Sequence, residues 1–322
     1  MPLQGSPLAP RLALTLGDPR GIGPEVVANS VRRLAAVSGA PSFLVIGPAG
    51  TVADEFPFEF QSVGRWIEGG DSALAGRLAG QAIETAARLA VTGRVDAIVT
   101  GPIDKAALHE GGFAFAGHTE MLATLSGAAE VSMLMSAEET VLGGPLRVVL
   151  ATTHVPLAEV PRLLTADLLV RQTRLLHDAL CRGWAMERPR IALCAFNPHA
   201  SDGGLFGDQE ARVYAPALAS LRAAGIDARG PFPADTVFLR TARGEFDAAV
   251  APYHDVGMAA FKTASFGRGV NVTLGLPFVR TSPDHGVALD IAGTGRADPA
   301  SMLEAIRLAA QLVARNRAPA RA

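Results

Sequence analysis

Cysteine is almost missing from this chain: Cys181 and Cys194 are the only two in 322 residues. Two thiols cannot build a disulfide framework, so a reducing compartment is expected. Net charge is nearly missing too, at -2. That leaves no electrostatic case for nucleic acid or an anionic membrane as partner. No apolar run reaches the ~18 residues of a membrane span. The opening MPLQGSPLAPRLALTLGD lacks the basic and long apolar regions of a secretory leader. Internal repeats, low-complexity segments and an obvious linker are lacking. Neither G-x-G-x-x-G nor a P-loop occurs, which removes both common nucleotide fingerprints. The expectation is a cytoplasmic, enzyme-sized chain with room for two domains or one large one.

What is present is the patterning of a soluble globular protein. Hydrophobic residues make up 49% and charged residues 19%, a balance that can bury a large core. Short apolar runs at 11–16, 42–47, 95–100, 147–152, 191–196 and 248–253 read as strands. The stretches 24–37, 74–91, 166–183 and 211–225 read as helices, and 301–316 as an amphipathic final helix. The last residues, RAPARA, read as a frayed tail. Continuous apolar strands separated by helices predict an α/β fold with a mainly parallel sheet covered on both faces.

Three of the seven histidines share one grammar. His154, His199 and His254 each follow a strand-like run and fall in what reads as a loop. Ligands of parallel α/β sheets collect beyond the carboxyl ends of the strands, so the three can face one crevice. Neutral imidazoles suit divalent transition metals, and three protein ligands leave positions open for substrate. The alternative is three loop histidines with local hydrogen bonds, because the spacing is no compact metal motif. Asp255 is a ligand, a partner orienting His254, or an ordinary loop carboxylate. His177, inside a helix, and His109, at a helix end, read as structural.

GDPRGIGPE (17–25) reads as a tight strand-to-helix turn, with Pro24 and Glu25 suited to the first helical turn. GHTEMLATLSG (117–127) reads as a helix start. There Thr119 can cap, or His118 and Thr119 can add donors to an anion held on free N–H groups. Downstream, Lys262, Arg268, Asn271 and Arg280 surround an apolar strand. Such donors fit carboxylate or phosphate recognition, or stand as solvated surface charge.

Taken together, GDPRGIGPE, GHTEML, TTHVPL, NPHA, PADTVF, YHDVGM, FGRGVNVTLGLPFVRTS and DHGVALDIAGTGRADP resemble the 4-hydroxythreonine-4-phosphate dehydrogenase family of vitamin B6 biosynthesis. The likeness runs along nearly the whole chain. It implies a two-domain α/β fold like the isocitrate and isopropylmalate dehydrogenases, with parallel or mixed sheets flanked by helices. It implies a cofactor-binding domain over 1–120 with 262–322, and a substrate, metal and dimerisation domain over 121–261. It implies a homodimer with shared active sites. By motif match His154, His199 and His254 are metal ligands shared between subunits, and His118, Thr119, Lys262, Asn271 and Arg280 bind substrate. The stretch from His285 and Gly286 to Asp290 resembles the adenosine-binding loop of the isopropylmalate dehydrogenases. A carboxylate there meets the ribose hydroxyls and repels a 2′-phosphate, favouring NAD over NADP.

The implied reaction is NAD-dependent oxidation of a secondary alcohol on a small phosphorylated hydroxy amino acid. A divalent metal (Zn, Mg, Mn or Co) assists, and Lys262, or Asp235 through water, serves as base. Arg20 stands where the family often has alanine, NPHASDGG replaces NPHAGEGG, and TSPDHGVA replaces TSVDHGTA. These departures bear on substrate more than on reaction type. The alternatives are oxidation of a 4-phosphorylated threonate or erythronate, or of a cyclic dihydrodiol dicarboxylate. A metal-dependent hydrolase and a non-catalytic binding protein are the rivals outside the class.

Overall fold

The computed structural model describes residues 9–51, 58–265 and 267–317. The first part of the chain runs β1 (Arg11–Thr15), α1 (Gly23–Ala35), β2 (Ser42–Ala49), β3 (Glu59–Arg65), α2 (Ser72–Val91), β4 (Ala97–Thr100), α3 (Lys105–Glu110) and α4 (His118–Ser126). Next come β5 (Ser132–Ala137), β6 (Leu146–Leu150), α5 (Val160–Leu163), α6 (Ala166–Gly183), β7 (Ile191–Cys194) and α7 (Ala215–Ala223). The chain finishes with β8 (Ala228–Phe232), α8 (Ala234–Ala242), β9 (Ala248–Ala251), α9 (His254–Ser265), β10 (Val270–Leu274), β11 (Val279–Pro283) and α10 (Ala300–Arg317). Only Arg317 of the tail read as frayed is described; 318–322 lie outside the described residues, as does Phe266.

Two compact units form, one from 1–129 with 276–322 and one from 130–275. The cuts expected from sequence, at 120/121 and 261/262, fall earlier in both places. Strand pairing explains one difference and core packing the other. β10 is laddered antiparallel to β5, so it stays with the second unit, while the α4 residues Met121 and Leu122 share a core with the α2 residues Ala82 and Ile83.

In the first unit β1 is paired in parallel with β2 and β4, β2 with β3, and β4 with β11. The central strands bury every side chain from Leu12 to Thr15 and from Ala97 to Thr100. A strand shielded on both faces reads as the continuous apolar run seen in the sequence. Leu44, Ile46, Ile83, Ile98, Met121 and Leu122 form the core between strands and helices. Each such fully buried side chain contributes roughly 1.5–3 kcal/mol. Asp71 and Asp104 start α2 and α3 by accepting from the N–H groups of Leu74 and Ala107, which satisfies donors the first turn would otherwise leave open.

In the second unit β6 pairs in parallel with β9, β9 with β7, and β7 with β8, while β5 runs antiparallel to both β6 and β10. The strands not read from sequence are β3, β5, β8 and one of β10 and β11, because the stretch 261–281 was read as holding a single apolar strand. β3 and β8 are mostly uncovered edge segments without a clean apolar run. The region read as one helix over 211–225 begins as a π-helical turn, Glu210–Tyr214, and becomes regular only in α7. Pro216 has no N–H to bond one turn back, which loosens the preceding turn. Thr165 caps α6 through the N–H of Leu168.

Candidate active site

The parallel ladder of β6 and β9 delivers two histidines to one place. Leu150 is in register with Ala251. Just beyond, the Ala151 N–H donates to Ala251 O at 2.8 Å and the Thr152 hydroxyl donates to Pro252 O at 2.9 Å. These bonds carry the two chains side by side past the strand ends. The rings of His154 and His254 then lie 5.4 Å apart, centroid to centroid. His254 is the first residue of α9 and not a loop residue as the sequence suggested. Gly257, one turn on, eases that placement: a Cβ there would sit 2.5 Å from Leu150 Cδ2 and 2.9 Å from Ala251 Cβ, and the second contact has no side-chain freedom to relieve it. His254 Nδ1 is 2.7 Å from Asp255 Oδ1. A carboxylate on one ring nitrogen fixes the tautomer that leaves the other as a lone-pair donor.

His199 follows β7, the other neighbour of β9, on an unusual turn. His199, Ala200, Ser201, Asp202 and Gly203 all have positive φ, between 44° and 73°. Left-handed backbone costs roughly 1–2 kcal/mol per residue that carries a Cβ, so this turn is held by its surroundings. The ring of His199 lies 6.3 Å from that of Phe206. Among the described residues no three His, Cys, Asp or Glu side chains close into a metal-binding set. The structure thus brings His154 and His254 together and leaves His199 on the adjoining strand end. Two imidazoles at contact spacing, one braced by a carboxylate, suit a divalent ion as a donor pair.

The other candidates of this unit sit on neighbouring elements. Lys262 is exposed on α9 and Asp235 is exposed in the first turn of α8. Asn271 is half-buried on β10, and its Oδ1 is sealed from solvent without a hydrogen-bond partner among the described residues. Arg268, grouped with the anion donors on sequence, instead pairs with Glu139 at 3.3 Å on the surface.

The first unit holds an electropositive cluster. Arg280 on β11 is 2% exposed and donates to the Thr100 hydroxyl at 2.6 Å. Burial draws its pKa down to about 10, with Glu120 opposing, so the guanidinium stays charged at neutral pH. His118 opens α4. Burial first, then the positive charges of Arg280 and Lys105, push its pKa well below 6.5 and keep the imidazole neutral. Its Nε2 is sealed from solvent and has no hydrogen-bond partner among the described residues. Thr119 does not cap: the helix begins one residue earlier, with Gly117 as an N-cap that offers no side chain. Thr100 and Lys105 were not singled out from sequence. Nothing in a local spacing links position 100 to position 280.

His285, Gly286 and Asp290 lie beyond β11. His285 Nδ1 is 3.0 Å from Gly286 O, and its Nε2 is sealed without a partner among the described residues. Asp290 is exposed. The Ile22 N–H donates to Val287 O at 2.9 Å, which ties this loop to the start of α1. A sealed imidazole nitrogen and an exposed carboxylate fit a ribose-bearing cofactor. Arg20, the departure in the first loop, is absorbed locally by a two-point bond to buried Asp18, at 3.1 and 2.7 Å.

Comparison with known proteins agrees with the resemblance read from the motifs. A curated 4-hydroxythreonine-4-phosphate dehydrogenase of Erythrobacter litoralis is 42% identical, over 97% of this chain and 99% of that protein. The crystal structure of 4-hydroxythreonine-4-phosphate dehydrogenase from Klebsiella pneumoniae is 39% identical, with TM-score 0.80, over 95% of this chain and 100% of that one. A terephthalate 1,2-cis-dihydrodiol dehydrogenase from Burkholderia xenovorans follows at 29% identity and TM-score 0.67, over 94% of this chain and 98% of that one. Isocitrate dehydrogenase from Methylococcus capsulatus, 15% identical at TM-score 0.51 over 95% of this chain and 86% of that one, shares the fold alone. Residues 51–309 match the family described as pyridoxal phosphate biosynthetic protein PdxA. With that match and relatives aligned over nearly its full length, the chain belongs to the PdxA family.

Proposed function

We propose that this chain oxidises the secondary hydroxyl of 4-(phosphooxy)-L-threonine with NAD. The product, 2-amino-3-oxo-4-(phosphooxy)butanoate, is a β-keto acid that loses carbon dioxide to give 3-amino-2-oxopropyl phosphate. The hydride leaves the carbinol carbon for the nicotinamide and the hydroxyl proton leaves to a base. The observation that carries the reading is the His154–His254 pair at neighbouring strand ends, in a chain whose curated relatives are dehydrogenases.

His154, His254 and His199 would hold one divalent ion, with the set completed between subunits of a homodimer. Exposed Leu157, Leu205 and Phe206 beside these histidines support a partner chain on that face. When bound, the ion would supply Lewis acidity for the hydroxyl and then for the new carbonyl. Lys262, or Asp235 through water, takes the hydroxyl proton, and Asn271 offers a further contact in that unit. In the first unit, Arg280 supplies fixed charge for an anionic substrate group, and neutral His118 with Thr119 supplies hydrogen-bonding groups. His285, Gly286 and Asp290 would orient the cofactor, with Asp290 on the ribose hydroxyls.

The test is NADH formation from a panel of phosphorylated hydroxy acids with defined metals. Turnover of 4-(phosphooxy)-L-threonine above the others supports the reading. A clear preference for 4-phosphorylated threonate or erythronate moves the chain to a paralogue. Preference for a non-phosphorylated cyclic diacid moves it to the dihydrodiol branch.

A further inference from the structure

The turn that carries His199 is gripped from below by one carboxylate. Glu210, 8% exposed, opens the π-helical turn Glu210–Tyr214. Its Oε1 accepts from the backbone N–H groups of Phe196 at 3.0 Å and Asn197 at 2.8 Å. Its Oε2 accepts from Asn197 Nδ2 at 2.8 Å, and Gln209 Oε1 accepts from the same amide at 2.8 Å. The left-handed run begins two residues later, and its far side is closed by the Ser201 hydroxyl donating to Gly207 O. Gly207 has φ 130°, a backbone state that favours glycine, and a Cβ there would also crowd Asn197 Nδ2 at 2.7 Å and Gln209 Oε1 at 2.8 Å. The Tyr214 hydroxyl donates to Cys194 O at 2.9 Å, further back on β7. Three acceptor contacts from one buried carboxylate thus converge on Phe196 and Asn197, the stem that leads through Pro198 into the strained turn.

We propose that Glu210 is a positioning residue that sets the orientation of His199 as a metal ligand. This rests on the reading of His199 as a ligand. Backbone that departs from its preferred basin persists only where surrounding contacts over-determine it. Without Glu210 the stem at Phe196 and Asn197 is released, and the left-handed turn relaxes toward other conformers. His199 then spends less time where a metal can use it. Partners of this kind behind a ligand are worth about 10–100-fold in metal affinity.

The experiment measures binding of cobalt(II) alone, by competition with a chromophoric chelator, with the visible spectrum of the cobalt form as a second readout. Wild type is compared with Glu210→Ala, Glu210→Gln, His199→Ala and Tyr214→Phe, each checked for fold by circular dichroism and thermal unfolding. The expected result is loss of affinity in His199→Ala, a 10–100-fold loss with an altered spectrum in Glu210→Ala, and partial recovery in Glu210→Gln. Glutamine keeps one oxygen for the two backbone N–H groups but turns an amide toward Asn197. Tyr214→Phe should lower thermal stability and leave cobalt affinity unchanged, which separates positioning from loosening of the fold. If Glu210→Ala does not fold, Glu210→Gln decides by the same two readouts. Wild-type affinity and spectrum in a folded Glu210 variant, with affinity lost in His199→Ala, overturns the positioning role alone. Wild-type affinity in His199→Ala overturns the ligand reading and the positioning role with it.

Discussion

The Arg280 guanidinium and the Thr100 hydroxyl, 180 residues apart in sequence, meet at 2.6 Å with both side chains buried. The motif around Arg280 marks the cation, but no local motif announces the Thr100 hydroxyl that aims it. Charge-assisted contacts to a phosphate are worth roughly 1.5–3 kcal/mol. Arg280→Ala should therefore lower kcat/KM for a phosphorylated substrate by about 10- to 100-fold. The dephosphorylated analogue should lose much less. Measuring both substrates with both enzymes decides it, and an equal loss on each would show that Arg280 does not read the phosphate.

His118 is expected to make stability depend on pH. Its folded-state pKa lies well below 6.5 because of burial and the nearby cations. As pH falls through about 6.5 the unfolded chain takes up a proton that the folded chain refuses, so stability falls with it. Thermal unfolding from about pH 7 to about pH 5 should show a steeper loss in wild type than in His118→Gln. Parallel slopes would mean that this imidazole is not the group held neutral.

The His154–His254 pair predicts graded effects on metal content. His254→Ala removes a donor and should strip most bound metal and activity. Asp255→Asn only loosens the brace on the ring, and because Asp255 is exposed the loss in affinity should stay near or below about tenfold. Elemental analysis after desalting reads both. Full occupancy in His254→Ala would sink the assignment of this pair.

Asp290 predicts cofactor preference. Wild type should use NAD far better than NADP, and Asp290→Ala should weaken NAD use and narrow the gap. Equal kcat/KM for the two cofactors in wild type would reject the role of its carboxylate.

Much of the architecture is written locally. Buried parallel strands show as unbroken apolar runs, which is why 11–16, 95–100 and 248–253 were readable. The helix over 166–183 was readable from its periodicity, and it matches α6 residue for residue. The motif set also carried family membership and fold type. The position of His254 was misjudged as loop. An apolar strand followed by His and Asp does not reveal that a glycine three residues on lets a helix start at once.

By itself, then, the sequence determined the α/β class, the family and the types of side chain available for chemistry, because these depend on composition, period and short motifs. Tertiary structure alone decided the antiparallel placement of β5 and β10, the pairing of Thr100 with Arg280, and the meeting of His154 with His254. It also decided the left-handed turn at 199–203 and the carboxylate that grips its stem. Each of these is a hydrogen bond, ring contact or backbone state imposed by residues that the chain brings near only after folding. Local pattern holds no record of register or of what lies across it.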